Sequence, residues 1–253
     1  MARSGTVAIV TGGGKGVGRG ISRALCASGA RVCVGYNSNE ALARKTLEEL
    51  RGAGGEAFLF KADVADRSQI RAMAEAAADR YGGIDVLVNN AAMQPNRYIH
   101  EYDADTFRWL WDVNIGGCWR AAQECLPYLK QSAAPRIVNI SSIHGKRPAV
   151  FDAGYAMTKG AVRMFTREAA LELGAYGITV NAVDLGACRI ESKTGNHAFR
   201  VHWPKEAREN AGLPLLKICS PEDVGALVAY LISPEAGMMT GAGIRLDAGM
   251  TLA

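Results

Sequence analysis

Tyr155 and Lys159 stand four residues apart in Tyr155-Ala-Met-Thr-Lys159, shortly after Asn139-Ile-Ser-Ser-Ile-His-Gly145. On a helix that spacing places both side chains on one face. A phenol titrates near pH ~10 and is a poor proton carrier at neutrality. An ammonium one turn away favours the phenolate, and lowering the pKa by ~3 units takes about 4 kcal/mol of differential interaction. A hydroxyl such as that of Ser142 could then hold the reacting oxygen. The chemistry suggested is proton transfer at a bound oxygen. The spacing alone carries little weight, because a Tyr and a Lys four apart occur by chance in most proteins; the surrounding elements must supply the context.

Arg136-Ile-Val-Asn-Ile-Ser reads as a short buried strand, and Asp152 to Ala175 as a helix with apolar residues at helical intervals. Ser142 then lies at the carboxyl end of a strand, and Tyr155 and Lys159 on the helix that follows. In open α/β sheets ligands bind at that end. From the N-terminus, Val7-Ala-Ile-Val10 is an apolar strand, followed by Thr11-Gly-Gly-Gly-Lys-Gly-Val-Gly18 and a helical pattern through Ile21, Ala24 and Leu25. A strand, a glycine-rich turn and a helix start make an anion site. The spacing is neither G-x-G-x-x-G nor a Walker A loop, since Gly16 follows Lys15. The second strand, Arg31 to Tyr36, ends in Tyr36-Asn-Ser-Asn39 with no acid until Glu40. An acid there would bind ribose hydroxyls and repel a 2′-phosphate. Its absence, with Lys15 near, favours NADP(H) over NAD(H); Asn37 and Ser38 would meet the phosphate or cap the next helix. Glu56 to Phe60 is a third strand, after which Asp63 and Val64 would meet an adenine ring.

Asp85 to Asn90, Thr179 to Val183 and Ile244 to Leu246 complete the strand patterns, with helices at Glu40–Gly52, Ser68–Tyr81, Asp103–Lys130 and Pro221–Ile232. Alternating strands and helices imply one doubly wound α/β domain over residues 1–253, a Rossmann-like parallel sheet of about seven strands with helices on both faces. Residues 185–214 lack periodicity and read as a long mobile substrate-binding loop or lid. Trp109, Trp111 and Trp119 read as core or subunit interface.

The net charge of +4 is small and the Lys and Arg residues are scattered among acids, which argues against a nucleic-acid partner. Six Cys at 26, 33, 118, 125, 188 and 219 show no C-x-x-C and no metal-ligand spacing, so no metal is expected. Free thiols without a signal peptide or an apolar span suggest a soluble cytoplasmic protein away from membranes.

Taken together, these residues resemble the short-chain dehydrogenase/reductase family over nearly the whole chain, Val7 to Met250. Thr11, Gly12, Gly16 and Gly18 match its T-G-x-x-x-G-x-G turn, and Asn89, Asn90 and Ala91 its N-N-A-G. Asn114 matches its helix asparagine, Tyr155 and Lys159 its Y-x-x-x-K, and the family's serine-to-tyrosine interval selects Ser142 rather than Ser141. The resemblance implies that Tyr155 is the general acid/base and that Lys159 binds the nicotinamide ribose and depresses the phenol pKa. It implies that Ser142 bonds the carbonyl oxygen and Asn114 supports a water relay. The nucleotide would rest on Gly12, Gly14, Lys15, Gly16, Val17, Asn37, Ser38, Asp63, Val64, Asn90, Ala91, Gly186 and Cys188, besides Tyr155 and Lys159. Lys15, just before the second motif glycine, is a family mark of NADP preference. Four departures stand out: Ala92 and Ala248 replace glycines, Leu185 replaces a proline, and Ile190 replaces a threonine that bonds the nicotinamide carboxamide.

Positions flanking the substrate in the family are polar here: Gln94, His144, Asp152 and Asp184, beside Ser142 and Tyr155. Polar groups in that ring suit a sugar or polyol, since buried polar groups left unpaired are costly; alternatively His144 and Asp152 pair with each other or with solvent. The expected reaction interconverts a secondary alcohol and a ketone, or a lactol and a lactone. The alternatives are a 3-oxoacyl carrier-protein reductase, with Arg97, Arg120, Lys146 and Arg147 as candidates for a carrier-docking patch, and a cofactor sensor that no longer catalyses. The family also implies a homotetramer or dimer, formed through the helices at Asp103–Lys130 and Asp152–Ala175.

Overall fold

The computed structural model describes residues 5–148, 152–190, 214–215 and 217–252. The 185–214 segment expected to form a lid lies largely outside them. Seven parallel strands form one sheet in the order β3-β2-β1-β4-β5-β6-β7. They are β1 Val7–Val10, β2 Arg31–Tyr36, β3 Ala57–Lys61, β4 Val86–Asn89, β5 Arg136–Ser142, β6 Thr179–Leu185 and β7 Gly243–Leu246. The order reverses beside β1, which opens a crevice at the strand ends between β1 and β4.

The helices divide by the alternation of the strands. Ala8, Val10, Val32, Val34, Val86, Val88 and Val138 face one side. Against them pack α1 (Gly16–Ala27), α2 (Glu40–Gly52) and α7 (Pro221–Leu231), through Ile21, Leu25, Leu50, Val224 and Val228. Ile9, Cys33, Leu87, Ile137 and Val180 face the other side. There they meet α3 (Arg67–Tyr81), α5 (Gly117–Leu129) and α6 (Ala153–Leu173). A short α4 (Ala104–Trp111) runs into α5 through a π-helical turn at Asp112–Gly116, so the long helix read over 103–130 is one element with a bulge in it. Helices α1 and α7 touch backbone to backbone. A Cβ on Gly20 would lie 2.1 Å from the Pro221 carbonyl oxygen, and one on Gly225 would lie 2.4 Å from that of Gly20.

Helix α7 is capped as its sequence suggests, by Ser220 with Pro221 at the first position and a capping box to Asp223. On α6, Met157, Met164 and Leu171 form an exposed stripe at seven-residue intervals. Among the described residues no helix is long and apolar enough to cross a membrane.

Of the departures from the family pattern, Ala92 is not in a left-handed conformation, but Ala248 is, at φ 54. An L side chain in that region costs about 1–2 kcal/mol. Ala248→Gly is therefore expected to stabilise the protein by ~1 kcal/mol net of the added freedom of the unfolded chain, raising the thermal midpoint by about 2–4 °C. A scanning calorimetry comparison checks it.

Candidate active site

The glycine turn is built for close approach. Gly12 (φ +63) and Gly16 (φ +52) take left-handed conformations, and a Cβ on Gly18 would sit 2.1 Å from the Gly12 carbonyl oxygen. Thr11 and Asn90 tie this turn to the end of β4. The Thr11 Oγ1 accepts from the Asn90 and Ala91 amides, and the Asn90 Nδ2 donates to the Thr11 and Gly12 carbonyls. Lys15, the residue before α1, makes no side-chain cap, so no side chain claims the first amides of the helix. Bare amides, the positive end of the helix dipole and backbone free of Cβ atoms are what a pyrophosphate requires.

These residues wall a cleft of about 480 Å³. Gly12, Gly14, Lys15, Gly16, Val17, Asn37, Ser38, Asp63, Val64, Asn90 and Ala91, all expected from the sequence, line it. So do Leu42, Met93, Trp109, Val113 and Ile190. For Trp109 this corrects the expectation of a place in the core or an interface; apolar character alone does not mark a residue for a cleft wall. Gly186 and Cys188 are not among the lining residues. The Gly186 amide bonds the Leu246 carbonyl, and the Cys188 backbone pairs with that of Cys219 in an isolated parallel β-bridge, both thiols free. Ile190 instead approaches Gly16, its Cγ2 3.5 Å from where a Cβ would stand. Helix α2 is capped by Asn39, whose side chain accepts from the Leu42 amide, rather than by Asn37 or Ser38. Both of those are exposed at the cleft with no capping duty.

Ser142 ends β5, and its Oγ accepts from the His144 amide at 3.2 Å. It also hydrogen-bonds the Tyr155 phenol. The Lys159 Nζ donates to the Ile140 carbonyl at 2.7 Å and lies 5.6 Å from the centroid of the Tyr155 ring. Ser142, Tyr155 and Lys159 thus converge at the end of β5.

The electrostatics differ from the expectation. Burial pushes the Tyr155 phenol up to about 12, and the Ser142 hydrogen bond offsets this only in part. Burial lowers Lys159 to about 8. The rise of the tyrosine is set by its burial, with the Asp152 carboxylate adding to it.

A depressed lysine pKa means that the folded protein releases its proton before the unfolded chain does. Its effect on stability is therefore unfavourable below about pH 8 and is relieved as pH rises from there toward the unfolded value near ~10.4. The thermal midpoint of the native protein is expected to gain on that of Lys159→Met as pH is raised from about 8 to 10, with no relative change below about 8. Parallel thermal melts of the two proteins read it.

Asn114 sits in the π-helical turn, 1% exposed, with both side-chain donor hydrogens used. Its Nδ2 donates to the Met93 carbonyl and the Thr158 hydroxyl, and its Oδ1 accepts from the Met93 amide. It clamps the segment after β4 to the Tyr155 helix. Beneath the site, Asn89 donates to Asn139 and Asn139 to Thr166, a buried row joining β4, β5 and α6. Sequence reasoning misses Thr158, Asn139 and Thr166 as positioning groups, because a Thr or Asn in an apolar pattern does not reveal its partner.

Two of the four expected substrate positions are corrected. Asp152, 2% exposed, caps α6 by accepting from the Tyr155 amide. The same carboxylate accepts from the Tyr102 hydroxyl at 2.5 Å and the Asn96 amide at 2.8 Å. Asp184, 4% exposed, ion-pairs with Arg163 and faces a different cavity from the nucleotide cleft. His144 remains beside Ser142, half-buried and held neutral at pH 7 because burial lowers its pKa; the Arg147 backbone bonds it, not Asp152. Gln94 is exposed and donates to Asn96.

The residues named as candidates for a carrier-docking patch have these surroundings. Arg97 pairs with Asp103 and Arg120 with Asp112, while Lys146 and Arg147 line the cavity of Asp184.

The profile of a family described as enoyl-(acyl carrier protein) reductase matches residues 12–251. Glucose 1-dehydrogenase 2 of Bacillus subtilis is 33% identical over 98% of this chain and 96% of its own. A 3beta-hydroxysteroid dehydrogenase of Eggerthella lenta is 33% identical over 98% and 94%. The 3-oxoacyl-[acyl-carrier-protein] reductase FabG of Staphylococcus aureus is 31% identical over 96% and 97%. The crystal structure of a point variant of actinorhodin polyketide ketoreductase with NADPH superposes with a TM-score of 0.88, at 34% identity and 99% coverage of both chains. With its glycine turn, its seven-stranded parallel sheet and these full-length relatives, the chain belongs to the short-chain dehydrogenase/reductase family of NAD(P)(H)-using oxidoreductases.

Proposed function

We propose that this protein interconverts a secondary alcohol and a ketone, or a lactol and a lactone, with NADP(H) preferred over NAD(H). The hydrogen bond between Ser142 and Tyr155, beside a buried lysine, carries this reading. A nicotinamide held in the cleft would supply the hydride donor or acceptor. Ser142 and Tyr155 would grip the substrate oxygen, with Tyr155 giving or taking its proton. Lys159, the nearest buried cation, would recharge Tyr155. Asn114 has no side-chain donor left over, so a relay of protons through it would use its backbone carbonyl. The exposed stripe on α6 supports self-association as a dimer or tetramer.

A sugar or polyol remains the favoured substrate. It rests on His144, Gln94 and the glucose dehydrogenase relative, Asp152 and Asp184 being committed elsewhere. The steroid dehydrogenase relative and the apolar Met93, Trp109 and Ile190 mark the competing class, bulky apolar alcohols. NADP(H) preference rests on Lys15, Asn37 and Ser38, all exposed at the cleft. Lys15→Ala is expected to raise KM for NADP⁺ by ~10-fold, the loss of one charge-assisted bond, and to leave KM for NAD⁺ unchanged. A matrix of both cofactors against polyols, aldoses, steroids and 3-oxoacyl thioesters, read at the nicotinamide absorbance, tests the whole reading. Turnover of thioesters or steroids alone would remove the sugar assignment, and nucleotide binding without turnover would make the protein a sensor.

A further inference from the structure

A second cavity, of about 340 Å³, is walled by the segment after β5, by α6 and by the ends of β6 and β7. Its wall carries Lys146, Arg147, Arg163 and Arg245 against a single carboxylate, Asp184. Arg163 is paired with that carboxylate, and Arg245 leans on Asp247 at 3.5 Å and donates to Thr251. Lys146 and Arg147 have no ion pair among the described residues and are exposed. With Arg163 and Arg245 set against carboxylates, Lys146 and Arg147 leave the cavity net positive, which favours a ligand that brings negative charge. Guanidinium forks match the oxygens of a phosphate, and a lysine adds a point charge.

We propose that this cavity binds the phosphate group of a small phosphomonoester, held between Lys146, Arg147 and Arg245. The cavity is larger than one phosphate group, which leaves room for the rest of such a molecule. The Asp184 Oδ1 is buried within the wall and takes no part. The site adjoins the catalytic strand without using its residues: Asp184 is in register with Ser141, and Arg163 follows Lys159 by one helical turn.

Calorimetric titration at constant ionic strength, with NADP⁺ saturating the nucleotide cleft, provides the test. The probes are inorganic phosphate and glycerol phosphate. Expected is saturable binding of both, weakened ~10-fold or more in a Lys146→Gln, Arg147→Gln double variant and unchanged in Lys15→Gln. Circular dichroism and thermal melts establish that the variants fold. Absence of saturable binding to the native protein overturns the proposal. So does binding that survives in the double variant, or that is lost in Lys15→Gln, which would place the anion on the glycine turn.

Discussion

Tyr155→Phe is expected to lower kcat by about 10²–10⁴, the usual contribution of a positioned acid or base. The phenol at the end of β5 holds both a proton and a hydrogen bond to Ser142. Phenylalanine keeps the ring and its packing, so the fold loses no more than that one bond, about 1 kcal/mol. The nucleotide cradle is untouched, and the Kd for NADP⁺ should stay as it was. Loss of turnover with retained binding is the signature of a proton carrier; a structural tyrosine would leave kcat unaltered. The direction of the reaction gives a second readout. A phenol held up near about 12 stays protonated at neutral pH and is ready to donate to a carbonyl. Carbonyl reduction should therefore be flat across neutral pH, whereas alcohol oxidation, which needs the deprotonated oxygen, should climb as pH rises. Initial rates in both directions over a pH series check the pair.

What the sequence disclosed and what it concealed divide by range. The strands, the glycine turn, the Ser220 cap and the parallel, doubly covered sheet follow from periodicity and from local turn chemistry, while the strand order does not. The convergence of Ser142 and Tyr155 follows from a strand feeding a helix. The assignments that failed depend on partners far away in the chain. Asp152 looks like a polar residue beside a reactive tyrosine until Tyr102 and Asn96, from the segment after β4, are seen to occupy its oxygens. Asp184 is spoken for by Arg163. The acidity expected of Tyr155 failed for a related reason. Helical spacing sets the lysine near the ring, but desolvation of the buried phenol dominates and raises it. Asn37, Ser38 and Asn39 are equivalent as caps by composition, and only backbone geometry selects Asn39.

Asp152 carries the second large prediction, because one buried carboxylate holds three elements. It caps α6, anchors the Asn96 amide in the segment after β4, and takes the Tyr102 hydroxyl, over which Gly154 packs so tightly that a Cβ would lie 2.7 Å from the ring. Asp152→Ala removes a helix cap, about 1 kcal/mol, and orphans a hydroxyl and an amide at about 1–3 kcal/mol each, for a total of ~3–7 kcal/mol. Asp152→Asn keeps one oxygen for the Tyr155 amide and the Tyr102 hydroxyl but sets an NH₂ against the Asn96 amide, so about half that loss is expected. Urea unfolding of the three proteins measures the series. Because the capped helix bears Tyr155 and Lys159, kcat should fall along with stability, while KM for the substrate moves little. A substrate-binding aspartate would give the reverse: normal stability in Asp152→Asn, with KM raised severalfold.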